Sequence, residues 1–397
     1  MLVLCGCSHL SSADNEPPAT APSTVNDSAD TVRAIWITYY ELHDFIKNSS
    51  EQQFRTKIDK AFHELSEMGF NTVTLHVRPY GDAFYRSDYF PSSAYCFDKQ
   101  GADMPYDPLQ IMCEIASQYQ LKTEAWINPY RISSQDDIDE LCDENPAKIW
   151  YNDDKTKSNV YIFENGIYYN PASEDVIKLI ANGVRELAEN YPLAAIHFDD
   201  YFYPTTDVAI DEKEFEAYKK EGGTLPLADW RRENINTMLQ AVYQTVKKAN
   251  SSMRFGISPA ANMDNDYEKL YADVKKWMKN EGYADYICPQ VYFGFLNLYQ
   301  PFMFTVKKWM NLCDKDLYIG LPLYKAGQPD KYAAKDEEQR INEFVTHDNI
   351  LARQITYLSK LPQIKGFYVF SYSCLNDETC KKETENMLKT MQDIYRN

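Results

Sequence analysis

Eight times between residues 33 and 397 a short apolar run gives way to a longer amphipathic stretch, and this alternation constrains the fold more than any other feature. The strand candidates are Arg33–Tyr39, Asn71–Val77, Leu121–Ile127, Leu193–Asp199, Met253–Ile257, Ala284–Cys288, Leu317–Leu321 and Ile364–Phe370. Helical patterns separate them at Glu51–Met68, Pro108–Tyr119, Ser173–Asn190, Trp230–Lys248, Asp266–Lys279, Phe302–Cys313 and Glu338–Leu361, and Asp377–Tyr395 closes the chain. Strand–helix repetition implies a parallel sheet with right-handed crossovers. Eight units in 397 residues fit one α/β domain, a (β/α)8 TIM barrel. An open doubly wound sheet would show G-x-G-x-x-G after a strand, and no strand here is followed by it. Two stretches break the rhythm. Residues 145–170 carry β-type alternation (Ile149-Trp-Tyr, Val160-Tyr-Ile-Phe, Ile167-Tyr-Tyr) and are expected to form a hairpin after strand three. Residues 201–229 are expected to form a long acidic loop after strand four.

Charge narrows the partners. Asp and Glu number 59 against 41 Lys and Arg, a net charge of −18 that repels nucleic acid. No Ser/His/Asp order, P-loop or H-E-x-x-H is present, and the six His have no metal-ligand spacing, so neither cofactor nor metal is expected. The nine Cys include no C-x-x-C pair, which argues against a structural zinc site.

The first residues read as processing signal. Leu4-Cys5-Gly6-Cys7 resembles the lipobox of bacterial lipoproteins, in which Cys7 becomes the acylated N-terminus; residues 1–7 would then be the tail of a longer signal. Residues 8–32 contain no Lys or Arg and are rich in Ser, Ala, Asp, Pro and Thr. Such a segment buries too little apolar surface to fold and suits a tether from a membrane lipid anchor to a domain spanning 33–397. The expected location is the bacterial cell envelope, periplasmic or surface-facing.

In a barrel, function sits at the C-terminal strand ends. There the sequence gathers polar and aromatic groups: Tyr39-Tyr40-Glu41, Arg78-Pro-Tyr-Gly-Asp82, Asn128-Pro-Tyr130-Arg131, Asp199-Asp200-Tyr201, Ser258-Pro259, Gln290-Val-Tyr292 and Tyr324-Lys325. Aromatic faces stack on sugars, and carboxylates, amides and Arg bind hydroxyls. Strand four is the sharpest signal. Side chains alternate, so Ala195, His197 and Asp199 share the inner face while Ile196 and Phe198 face the helices. Asp199 then points into the barrel mouth with His197 one layer below. Two adjacent carboxylates repel, and one can be left holding a proton. Asp199 is assigned as nucleophile or base and Asp200 or Asp82 as acid; Glu41 and Asp264 are lesser candidates for the second carboxylate. Arg78 shares parity with His76 and is expected to point inward, to bind a sugar carboxylate or hydroxyl or to pair with Asp199. Trp36, Trp126, Asn128, Arg131, His197, Tyr201, Gln290 and Tyr292 complete the expected sugar-binding set, and Arg78, Arg131 and Lys325 would make the mouth locally basic.

These strand-end sequences carry a resemblance. Arg33-Ala-Ile-Trp36, Val77-Arg-Pro-Tyr-Gly-Asp82-Ala-Phe-Tyr85, Ala125-Trp126-Ile-Asn128-Pro-Tyr130-Arg131, Asn170-Pro171, His197-Phe-Asp-Asp-Tyr-Phe-Tyr-Pro204, Asp229-Trp-Arg-Arg-Glu-Asn234, Gly256-Ile-Ser-Pro259 and Pro289-Gln290-Val-Tyr292 follow one another as in the glycosyl-hydrolase-like family 10 of bacterial lipoproteins and secreted proteins, which the chain resembles over roughly residues 33–375. The chain departs from the pattern at Ala260-Ala261 after Ser-Pro and at Leu321-Pro-Leu-Tyr324. The resemblance implies a (β/α)8 barrel, O-glycosyl hydrolysis and, from the family's described activity, cleavage of peptidoglycan glycan stripped of its stem peptides. Glycosidic cleavage generally uses two carboxyl groups; with an N-acetylated substrate, the sugar's own carbonyl could replace one. Hydrolysis of a nutrient polysaccharide and a non-catalytic glycan-binding barrel are the competing readings. Protein partners are not legible.

Overall fold

The computed structural model describes residues 31–164 and 166–395. Eleven described strands are β1 (Val32–Ile37), β2 (Thr72–Arg78), β3 (Lys122–Ile127), β4 (Arg131–Ser133), β5 (Val160–Phe163), β6 (Gly166–Tyr169), β7 (Ala195–Phe198), β8 (Arg254–Ile257), β9 (Tyr286–Ile287), β10 (Asp316–Pro322) and β11 (Ile364–Phe370). Eight of them close a parallel barrel in the order β1-β11-β10-β9-β8-β7-β3-β2, so this is the expected (β/α)8 fold. The lipobox with Cys7 and most of the 8–32 tether lie outside the described residues, and Val32 already belongs to β1.

Alternation on the strands separates two cores. Ile196 and Phe198 join the large apolar layer between strands and helices. Ala34, Trp36, Trp126, Ala195, Tyr286 and Tyr368 fill the barrel interior instead. That interior is unusually aromatic, and glycine makes room for it: a Cβ on Gly256 would lie 1.9 Å from the Tyr286 ring. A buried carboxyl, Glu124, accepts hydrogen bonds from Thr74 Oγ1 and the Tyr368 hydroxyl deeper in the barrel.

The insertions differ from expectation in detail. After β3 the chain forms a separate antiparallel sheet, β4-β6-β5, in which β5 and β6 are the expected hairpin. Ile149-Trp-Tyr lies instead on a helix, Pro146–Tyr151, capped by Asn145. The acidic stretch after β7 contains a helix, Glu212–Lys220. Two expected helices are broken. Asp266–Lys279 divides into Met263–Lys269 and Val274–Lys279, with Tyr271 at φ 52° between them and Asp273 capping the second. Glu338–Leu361 divides into Glu338–Ile341, Glu343–Thr346 and Ile350–Leu358. Among the described residues no helix is long and apolar enough to cross a membrane.

Candidate active site

At the C-terminal end of the barrel a cleft of about 660 Å³ opens over the aromatic interior. Trp36, Trp126, Asn128, Arg131, Asp199, Asp200, Tyr201, Gln290 and Tyr292, all expected from sequence, line it together. Tyr39, Tyr40, Tyr80, His76, Ser258 and Phe370 line it as well. The two Tyr after β1 and Ser258 stood at strand ends in the sequence without an assigned role. Tyr80 stood likewise without a role in the strand-end stretch Arg78-Pro-Tyr-Gly-Asp82, and Phe370 had no signal beyond its position.

Asp199 follows directly on β7 and is 3% exposed. Trp126 Nε1–H donates to its Oδ2 at 2.8 Å and Tyr201 N–H to its Oδ1 at 3.2 Å. Burial, and next the charge of Asp200, push its pKa up to about 8, while the two donors and Arg131 hold it down. Asp200 is half-buried and also raised, by desolvation, with Gln290 and Arg131 opposing. Protons on such a pair belong to the pair, and both shifts favour keeping a proton that two isolated carboxylates would lose. Asp199 and Asp200 are the two carboxyl groups lining the cleft among the described residues.

A third carboxyl stands behind them, and sequence reading missed it. Asp266, in the helix after β8, is fully buried, and burial together with the charge of Asp200 pushes it up to about 9. Its two oxygens have no hydrogen-bond partner of good geometry, and the Ala260 N–H is the group that opposes the shift. An Asp near a helix start reads as a cap from sequence, so nothing there marked it.

Several expected residues are elsewhere. The β2–β3 pairing slips between His76 and Arg78, so the two do not share a face. His76 stays inside, stacked on Trp126 at 3.5 Å between ring centroids and 6° between planes, with Nε2 2.7 Å from Asn128 Oδ1. Arg78 turns away from the cleft, is 1% exposed and lies over the Phe90 ring at 4.5 Å. It neither pairs with Asp199 nor faces substrate. Asp82 follows Arg78 into that buried region, where its Oδ2 accepts from Gln100 Nε2; it is not placed to act as acid. His197 is fully buried one layer below Asp199, its Nδ1 3.0 Å from the Tyr286 hydroxyl, and cannot touch a sugar. Burial lowers its pKa to about 3, so it is neutral. Glu41 closes a capping box with Thr38 and accepts from Ser371 Oγ and Ser373 N–H. Asp264 is an exposed helix residue outside the cleft. Lys325 pairs with Asp330 at 2.8 Å. The basic mouth therefore reduces to Arg131 on β4, whose guanidinium lies 4.8 Å from the Tyr80 ring and 4.6 Å from the Tyr201 ring. Arg131 forms no salt bridge among the described residues.

Arg231 clamps the loop after β7. Arg231, fully buried, binds both oxygens of Asp211 at 2.6 and 2.8 Å and donates to the carbonyls of Thr206 and Asp207 and to the Tyr271 hydroxyl. This ties residues 206–211, in the loop that begins at Asp200 and Tyr201, to the helix Leu227–Ala249. No group of three His, Cys, Asp or Glu among the described residues could hold a metal ion.

A family model described as "Glycosyl hydrolase-like 10" matches residues 31–337. Glycosyl hydrolase YngK of Bacillus subtilis (strain 168) is 31% identical over 382 residues, covering 90% of this chain and 71% of that protein. Glycosyl hydrolase DigH of Escherichia coli (strain K12) is 30% identical, with 99% and 94% covered. Among solved structures, the PgaB (BpsB) glycoside hydrolase domain from Bordetella bronchiseptica superposes with a TM-score of 0.59 at 14% identity, covering 90% of this chain and 99% of that one, a likeness of fold.

Proposed function

The chain belongs to the glycosyl hydrolase-like 10 family and is a glycoside hydrolase, and we propose that it cuts a cell-envelope polysaccharide, the glycan strands of peptidoglycan, at the Asp199–Asp200 pair. The observation that carries this reading is the placement of Asp199: a buried carboxyl at the end of β7, beside a second carboxyl, with an indole N–H on one oxygen and a backbone N–H on the other. Departure of the leaving sugar needs a proton on the glycosidic oxygen and negative charge near the oxocarbenium-like ring. A pair holding one proton supplies both: the protonated member gives the proton and the ionised member faces the developing positive charge. Where the sugar bears an N-acetyl group, the ionised member can instead orient that group, whose carbonyl then attacks C1.

The walls fit such a substrate. Tyr39, Tyr40, Tyr80, Tyr201, Trp126 and Tyr292 offer ring faces and edges. Asn128 Nδ2 is buried without a protein partner, a donor left for a substrate oxygen. Arg131, without a carboxylate of its own, suits the carboxylate of a muramic acid unit. The test is release of reducing ends from peptide-stripped peptidoglycan strands, with wild type active and Asp199→Asn inactive. Wild-type activity confined to a neutral storage polysaccharide would move the protein to nutrient acquisition. Turnover unaffected by Asp199→Asn would remove the assigned mechanism.

We further propose that the protein is lipid-anchored in the bacterial envelope through Cys7, supported by the apolar stretch ending in Cys7 and the uncharged-to-acidic segment behind it. Cys7→Ser should shift a membrane-associated protein into the soluble fraction; unchanged partition would remove the anchor.

A further inference from the structure

Beside the cleft, on the loops that follow β9 and β10, the protein displays large apolar side chains in water. Tyr332 is 87% exposed, Tyr299 61% and Leu298 46%. Single exposed apolar residues are ordinary, but these share one surface. Leu298 N–H donates to the Ala333 carbonyl at 2.8 Å, which ties the two loops together next to both Tyr.

The backbone beneath them is held firmly. The buried carboxylate of Glu343 accepts from Phe295 N–H and Leu296 N–H at 3.0 and 2.8 Å. Arg340 Nη1 donates to the Leu296 carbonyl at 2.7 Å, and Asn297 Oδ1 accepts from Tyr299 N–H and Gln300 N–H. On the second loop Asp330 accepts from Tyr332 N–H and pairs with Lys325. Loops ordered in this way present their side chains at low entropic cost to a ligand.

The surface is continuous with the cleft. Tyr292 and Phe370 on the cleft wall contact Tyr324 at 5.7 and 5.8 Å between ring centroids. Tyr324 is 41% exposed, and Lys325–Asp330 leads from it to Tyr332. Charge here is mixed: exposed Asp336, Glu337 and Glu338 follow Lys335, and Glu337 is taken up by Arg340. Lys331 and Lys335 flank Tyr332, are exposed and form no salt bridge among the described residues, on a chain whose net charge is −18.

We propose that this shelf is a second glycan-binding surface, which holds a sugar strand bearing carboxylates where it continues beyond the cleft. The ring faces of Tyr299 and Tyr332 stack on sugar C–H faces, and Lys331 and Lys335 attract the carboxylates. The shelf's function rests on the glycosidase reading above, and gives the enzyme a preference for long strands over short ones.

The test compares kcat/KM on long peptide-free peptidoglycan strands and on a muramic-acid-containing tetrasaccharide, for wild type and for Tyr299→Ala/Tyr332→Ala. Both positions are exposed, so a melting curve like that of wild type is expected. The long-to-short ratio should fall about tenfold in the double variant, the loss expected for two aromatic platforms. Lys331→Gln/Lys335→Gln should lower the same ratio and flatten its dependence on salt. A wild type that cuts both lengths, with a ratio the Tyr variant leaves unchanged, overturns the shelf and spares the glycosidase reading. A wild type that cuts neither removes both. A wild-type dimer that the Tyr variant converts to monomer assigns the surface to a second copy of the chain instead.

Discussion

Trp126 on β3 and Asp199, just past the end of the neighbouring strand β7, are joined by an indole N–H that donates to the Asp199 carboxyl at 2.8 Å. The same indole stacks on His76, so one cleft-lining ring also bears on the charge state of the carboxyl proposed to react. Hydrogen bonds to an ionised carboxylate favour that form and oppose the effect of burial. Trp126→Phe keeps a ring and deletes the donor. It should lower kcat about tenfold, the scale of a hydrogen bond to a charged group. It should also move the alkaline limb of the pH–rate profile upward, because the pair then keeps its proton to higher pH. A profile that falls in height without moving would mean the indole acts by packing alone.

Asp199 and Asp82 are separated by the structure, not by their residue type. Asp199→Asn should reduce turnover at least about 1,000-fold, within the range for loss of an acid–base group. Asp82→Asn should keep turnover within about threefold of wild type, because a residue outside the cleft gives up none of the acid–base chemistry. A dead Asp82→Asn with a wild-type melting curve would return Asp82 to the mechanism.

What could be seen in the sequence was set by local alternation. Along β7 the parity of residues 195–199 placed Ile196 and Phe198 outward and Asp199 in the mouth, because a regular strand has a period of two. The same rule failed two strands away. The slip after His76 breaks the period, so Arg78 and Asp82 leave the site although their neighbours remain in it. Nothing in Val77-Arg-Pro-Tyr-Gly announces that slip. Arg231 stood in a recognisable run, but its five-donor clamp on the loop after β7 depends on Asp211, twenty residues earlier, and on Tyr271 forty residues later. Asp266 was hidden for the same reason, since its environment comes from Asp200 across the cleft wall.

The pair should also tax the fold. Asp199 binds its proton more tightly folded than unfolded, so between the ordinary carboxylate range near pH 4 and about 8 the native state holds more protons. Stability contributed at that site therefore falls as pH rises through this window and is level above it. Asp199→Asn cannot ionise. The melting temperature of the variant relative to wild type should climb from pH 4 to pH 8 and then stay constant. A difference independent of pH would show that Asp199 titrates normally in the folded protein.

Arg231→Met should leave the Asp211 carboxylate buried without its partner. Breaking a buried ion pair from one side costs about 3–5 kcal/mol, read as a lower denaturant midpoint. Arg231→Met/Asp211→Leu removes both charges and should recover most of that loss. Activity in the single variant should fall further than stability explains, because the clamp ties down residues 206–211 of the loop that begins at Asp200 and Tyr201. Equal instability of single and double variants would mean that Arg231 works by packing between Tyr203 and Tyr271.

On the proposed peptidoglycan reading, Arg131 should separate charged from neutral glycans. Its guanidinium is held between the Tyr80 and Tyr201 rings, and Nη2 donates to the Tyr80 hydroxyl at 3.3 Å, which leaves donors facing the cleft and no carboxylate to occupy them. A muramic acid unit would bring that carboxylate, whereas a chitin oligomer has none. Arg131→Ala should therefore raise KM for muramic-acid-containing oligomers by about tenfold or more, as loss of a charge-assisted hydrogen bond implies, and change KM for chitin oligomers of equal length by much less. Arg131→Lys should restore part of the difference, since it keeps the charge but not the planar fork. Arg78→Ala should not discriminate: with Arg78 buried against Phe90, its loss weakens the fold and both substrates suffer alike. Equal losses on the two substrates for Arg131→Ala would reduce this side chain to a spacer between two rings, and the carboxylate of the substrate would then be read elsewhere in the cleft.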